Sequence, residues 1–159
     1  KELMTKKAAA YLTSIKDHLV IFPGVREFVE DAAATYPIAI ASGALRAEIE
    51  LVLEQIGIRK AFGHITSAED VTCGKPNPEP FLQALAGLNR HQSTAAIVPN
   101  SCLVIEDSLP GIRAAKAAGM KVLAVANTHT IQALNEADAI SSSLSETRLK
   151  DVRVRLWPT

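Results

Sequence analysis

Three short, unbroken apolar runs constrain this chain most: Ile38-Ala39-Ile40-Ala41, Leu103-Val104-Ile105 and Val122-Leu123-Ala124-Val125. A strand with one wetted face alternates apolar and polar residues. A strand that is apolar throughout is covered on both faces, the usual condition of parallel strands. Between the runs the apolar period switches to that of a helix. Val25, Phe28, Val29, Ala32 and Ala33 share one face before the first run, and Leu45, Ile49, Val52, Leu53 and Ile56 follow it, with Gly57 as a stop. His64-Ile65-Thr66 reads as a further short strand. Asn77 caps a helix with Pro78 at its first position and Phe81, Leu82, Leu85 and Leu88 inside. A helix from Ile112 to Ala118, stopped by Gly119, separates the second and third runs, and another around Ile131 to Glu136 precedes Ala139-Ile140. Alternation of this kind predicts an α/β fold, a parallel sheet with helices on both faces.

The two ends depart from that rhythm. Met4, Ala8, Tyr11, Leu12, Ile15 and Leu19 form a helical stripe, and Ile21-Phe22-Pro23-Gly24 breaks it like a hinge. At the other end Val152-Arg153-Val154-Arg155-Leu156 alternates, which predicts an edge strand with its arginines on a solvated face. A chain of 159 residues fits one domain with a substantial core. Its 17 Lys+Arg balance 17 Asp+Glu with no basic block, which argues against nucleic acid or an anionic membrane as the main partner. No apolar run reaches the roughly 18 residues of a membrane-spanning helix, and the charged N-terminus has no apolar core of a secretory signal. Cys73 and Cys102 lie far apart with no Cys-x-x-Cys pattern, ordinary thiols for a cytoplasmic protein. His18, His64, His91 and His129 share no metal-ligand spacing.

In an open parallel sheet, ligands gather outside the carboxyl ends of the strands, and three places there carry chemistry. Ser42-Gly43 follows the first run and precedes a helix, so a hydroxyl and free N–H groups suit an anion; a plain serine cap fits as well. Arg46 lies nearby, as a substrate contact or a solvated side chain. Glu106-Asp107 ends the second run. Two adjacent carboxylates repel unless a cation offsets them, and Mg²⁺ suits such oxygen ligands; a capping Asp beside a surface Glu is the alternative. Lys75 sits in Cys73-Gly74-Lys75-Pro76-Asn77-Pro78, which lacks the spacing of a P-loop but is stiffened by its prolines.

In order, the chain presents a strand with Ser-Gly, then Gly-Lys-Pro-x-Pro, then a strand with Glu-Asp-Ser-x-x-Gly-Ile-x-Ala-Ala-x-x-Ala-Gly-Met. This resembles the haloacid dehalogenase superfamily, and within it the β-phosphoglucomutase-like phosphatases and mutases, over nearly the whole chain. The resemblance implies a Rossmann-like core and assigns roles. Ser42 and Gly43 bind the phosphoryl group, Lys75 offsets its charge, and Glu106 and Asp107 hold Mg²⁺. It also implies that residues 1–20 are the last helix of a helical cap and residues 21–159 the α/β core. One family element has no counterpart. No Asp-x-Asp occurs in the sequence, and Asp17, Asp31, Asp70, Asp138 and Asp151 follow no suitable apolar strand. The covalent nucleophile and the first strand, with cap helices, are therefore expected on the order of 60 residues upstream.

The expected function is Mg²⁺-dependent hydrolysis of a small phosphorylated metabolite, with a sugar-phosphate mutase as the close alternative. A receiver domain places its acid pair early and its Lys last, the reverse of the order here. Haloacid dehalogenation has no use for a metal-holding acid pair. A non-catalytic phosphate- and metal-binding module is the remaining alternative. Residues 1–159 alone are expected to turn over no phosphate ester and to be poorly soluble, because the absent strand leaves unpaired sheet edges.

Overall fold

The computed structural model describes residues 19–90 and 95–158, so the expected helix at 2–19 lies almost wholly outside the described residues. The elements run α1 (Val25–Thr35), β1 (Ile38–Ala41), α2 (Arg46–Gln55), β2 (Phe62–Thr66), α3 (Glu79–Asn89), β3 (Leu103–Glu106), α4 (Leu109–Ala117), β4 (Lys121–Val125), β5 (Ala139–Ser141) and α5 (Leu149–Leu156). All pairing is parallel, with helices on both faces, as the apolar runs require. Helices α2 and α4 both end in the same way. Gly57 and Gly119 take positive φ, and the following Ile58 and Met120 N–H groups bond back to Leu53 and Ala115. No described helix is long and apolar enough to cross a membrane.

The sheet is in two pieces. Strand β1 pairs with β2, and β3–β4–β5 form a second sheet. Among the described residues β1 and β3 therefore each keep one edge without a strand partner, and Ile105 on β3 is 37% exposed. The smaller piece packs Ile65 against Ile49 and Leu53 of α2, with Ile40 and Phe62 at the margin. The larger piece is covered on one face by Phe81 and Leu85 of α3 and by Ile112, Ala114 and Ala115 of α4. Its other face packs Leu123 and Ala139 on Val152 and Leu156 of α5. Helix α3 spans the break, lying against β1 and β2 while giving Phe81 and Leu85 to the core around Val104.

Three sequence expectations need correction. The tail at 152–156 is helix α5, not an edge strand. Val152 and Leu156 stand one helical turn apart and both bury, whereas Val154 is 64% exposed. Residues 131–134 form a single 3₁₀ turn rather than a helix to 136, and only Leu134 is buried in it. Helix α3 begins at Glu79, with Pro78 in the capping position and the Asn77 Oδ1 accepting from the Glu79 N–H at 2.9 Å. Its Leu82 points outward.

Candidate active site

Strand β3 delivers Glu106 and Asp107 to its carboxyl end, where the chain turns into α4. Glu106 is 8% exposed, so its charge has to be met within the protein. One oxygen takes the Lys75 ammonium. The other accepts the Ser108 hydroxyl at 3.0 Å and the Asp107 N–H at 3.3 Å. Ser108 also caps α4, its Oγ accepting from the Gly111 N–H at 3.2 Å. The Glu106 carboxylate thus rests on the positive end of a helix. Space for it exists because residue 111 is glycine: a Cβ there would come within 2.0 Å of the Glu106 carboxyl carbon.

Asp107 turns the other way. Its Oδ2 accepts the Thr128 hydroxyl at 2.8 Å, and its backbone oxygen accepts from His129 Nδ1 at 2.9 Å. The loop after β4 therefore orients Asp107. A cavity of about 210 Å³ opens beside Ile105, Glu106, Asp107, Val125, Asn127 and Leu144. A larger hollow of about 540 Å³ lies between α1 and α5, around Phe28, Asp31 and Arg148, and contains none of the candidate residues.

Lys75 reaches Glu106 from the loop that leads into α3, and its ammonium lies 4.7 Å from the centre of the Phe81 ring. The loop itself is held by Glu79. Its two carboxylate oxygens each accept a backbone N–H at 2.8 Å, one from Thr72 and one from Cys73. Those two bonds hold the Glu79 carboxyl below the usual range.

Ser42 sits at the carboxyl end of β1, in the other sheet. It does not cap α2, whose capping residue is Leu45. Its N–H bonds Thr66 at 2.9 Å, and its Oγ accepts the Ala44 N–H at 3.1 Å. Gly43 is exposed, with open space beside it. Arg46 bonds Ile65 and Asp70 through Nη2, at 3.0 and 2.6 Å. The Ser67 hydroxyl and N–H, with Arg46 beside them, hold the Asp70 carboxyl below its ordinary value. The Thr66 hydroxyl is buried beside this loop without a partner among the described residues.

The structure therefore joins Lys75 to Glu106, with Asp107 adjacent, and leaves Ser42 and Gly43 in the neighbouring sheet. Sequence reasoning gave no role in this arrangement to Ser108 and Gly111, although both lie in the Glu-Asp-Ser-x-x-Gly run, nor to Thr128, His129 and Glu79. For Ser108 and Gly111 a signal was present, a serine cap followed by Pro110 and a glycine within the first turn. Thr128 and His129 act across more than twenty residues and left none.

As for Mg²⁺, the donors present suit it. Among the described residues no group of three or more His, Cys, Asp or Glu converges. Mg²⁺ keeps several waters and needs only one or two carboxylates. Asp107 has Oδ1 outside its bond to Thr128, and the second carboxylate is one residue away.

The family model for haloacid dehalogenase-like hydrolases matches residues 2–119. The bifunctional riboflavin kinase/FMN phosphatase of Arabidopsis thaliana is 36% identical over 140 residues, covering 84% of this chain and 34% of that protein. Hexitol phosphatase B of Escherichia coli is 29% identical over 158 residues, covering 96% of this chain and 67% of that one. Among solved structures, a β-phosphoglucomutase from Clostridium difficile superposes with a TM-score of 0.80 at 26% identity, covering 96% of this chain and 64% of the other. The chain thus spans about a third of the plant protein and about two thirds of the two bacterial ones.

Proposed function

The chain belongs to the haloacid dehalogenase-like hydrolase family, and from that premise we propose that it serves Mg²⁺-dependent phosphoryl transfer in the cytoplasm, as a phosphatase of small phosphorylated metabolites such as sugar phosphates. The observation that carries this reading is the pairing of the half-buried Lys75 with the buried Glu106, with Asp107 beside them at the end of β3. Phosphoryl transfer asks a protein for positioning and for offset of negative charge rather than for much covalent chemistry. Lys75 offers a cation fixed on both sides, by Glu106 and by the face of Phe81. Asp107 would hold Mg²⁺, with Glu106 contributing directly or through water while anchoring Lys75. When bound, the metal offsets charge on the phosphoryl oxygens. Ser42 and Gly43, at the end of β1, are the proposed hydrogen-bond donors to the phosphoryl group.

The nucleophile in this reading is an aspartate outside residues 1–159, on a strand seated between β1 and β3, with residues 1–20 belonging to a cap. Two observations support that: the absence of Asp-x-Asp from the sequence and, among the described residues, the break in the sheet between β1 and β3. A β-phosphoglucomutase-like mutase is the second reading, favoured by the superposition at a TM-score of 0.80. Both are tested together by assaying the complete protein on a panel of phosphate esters with and without Mg²⁺. Phosphate release supports the phosphatase, isomerisation without release supports the mutase, and neither reaction contradicts both.

A further inference from the structure

The loop that carries Lys75 is closed by one carboxylate. Glu79 stands at the first position of α3, where an acidic side chain ordinarily serves the N–H groups of its own helix. Here it reaches outside the helix to Thr72 and Cys73, both at 2.8 Å, while Gln83 one turn on donates to the same carboxylate at 3.1 Å. Two further bonds tie the loop to the start of the helix. The Glu79 N–H goes to Asn77 Oδ1 at 2.9 Å, and the Asn77 N–H goes to the Gly74 carbonyl at 3.0 Å. Lys75 lies inside this closed ring, two residues past Cys73, and Phe81 of the same helical turn lies against its ammonium.

We propose that Glu79 is the positioning residue for Lys75: its carboxylate ties the backbone of Thr72 and Cys73 to the first turn of α3, and so sets where the ammonium meets Glu106. The role rests on the reading of Lys75 as the charge-offsetting group. Glu79 itself touches neither phosphate nor metal in this scheme. Its effect passes through the loop, because a charge-assisted bond to each of two N–H groups fixes the backbone more firmly than neutral bonds would. Displacement of a catalytic group by about 1 Å can cost on the order of a hundredfold in rate, so a slack loop lowers turnover more than it lowers substrate binding.

The test compares Glu79→Gln, Lys75→Met and the double variant in the complete protein, by kcat and KM on a hydrolysed phosphate ester and by backbone amide exchange. Glu79→Gln is expected to cut kcat about ten- to a hundredfold with KM little changed. It should speed exchange at Thr72 and Cys73 while β3 and β4 stay protected. On the Lys75→Met background it should add nothing further, whereas Glu79→Asp, which keeps the charge, should recover part of the lost turnover. An undiminished effect of Glu79→Gln on the Lys75→Met background would overturn the proposal, since a merely structural role does not depend on Lys75. Unchanged turnover in Lys75→Met, with exchange at Thr72 and Cys73 still accelerated by Glu79→Gln, would overturn the reading of Lys75 and leave Glu79 as a loop cap only.

Discussion

The two sheets of this molecule are built to different standards. In β3–β4–β5 the central strand β4 is enclosed, with Val122 and Ala124 at 0% exposure, and helices cover both faces. In β1–β2 all four residues of β1 are only partly buried, although the run Ile38 to Ala41 contains no polar side chain. The well-packed half carries the acids and the looser half carries Ser42. Helix α3 connects them, lying against β1 and β2 while its leading loop sends Lys75 to Glu106. Charge is thus concentrated where packing can hold it. Burial of a carboxylate as deep as Glu106 is tolerable only beside a cation, hydrogen-bond donors and a helix N-terminus. The Ser42 loop carries no carboxylate buried that deeply: its one ion pair, Arg46–Asp70, is part-exposed.

Removing the link between the halves has the largest expected effect. Lys75→Met in the complete protein should lower turnover by about 10²–10³, the range for losing one transition-state donor. It also leaves Glu106 buried without its cation, so the thermal midpoint should fall with it. Near-normal turnover would mean that Lys75 is only a structural partner of Glu106.

A smaller change within the packed half comes next. Gly111→Ala places a methyl where the Glu106 carboxyl lies. Overpacking of this kind costs about 1–3 kcal/mol, measurable by chemical denaturation, and it should displace Glu106 as well as destabilise α4. The equivalent change at Gly43, which has open space around it, should cost far less. Equal costs at the two sites would erase the contrast between the halves.

Acid sensitivity is the smallest of these effects and is shared by both sides of the break. Burial pushes the Asp138 carboxyl up, but the Val122 N–H and the Lys116 ammonium pull it further down, to a net value below the ordinary 3.8. Asp70 is lowered by Ser67 and Arg46 in the other half. A depressed carboxyl contributes stability that is present above its unfolded value and is lost as pH falls through the folded one. Stability should therefore decline below about pH 4, and Asp138→Asn should flatten part of that decline. An unaltered acid profile in the variant would remove Asp138 from the account.

The fold was legible where a pattern admitted one period. The runs that became β1, β3 and β4 have no polar interruption, and the glycines at 57 and 119 ended their helices as expected. The tail was not legible, because positions 152 and 156 fit a period of two as well as a helical turn. Only Val154 distinguishes the two, and its exposure is a tertiary outcome. Leu82 was misplaced for a related reason: Phe81 and Leu85 already fill the face of α3 toward the core. At the site, residue types at strand ends identified Ser42, Lys75, Glu106 and Asp107. The pairing of Lys75 with Glu106 spans 31 residues and depends on how α3 packs, which no local spacing encodes. The same holds for Glu79, whose partners precede it in a loop with no regular period.

In the proposed function the end of β3 is a Mg²⁺-dependent phosphoryl-transfer site centred on Asp107. Its most direct test is a Mg²⁺ titration of turnover in the complete protein and in its Asp107→Asn variant, which removes a charged oxygen ligand while nearly preserving shape. Mg²⁺ affinity and maximal turnover are expected to fall together in the variant. Unchanged Mg²⁺ dependence with Asn at position 107 would contradict it.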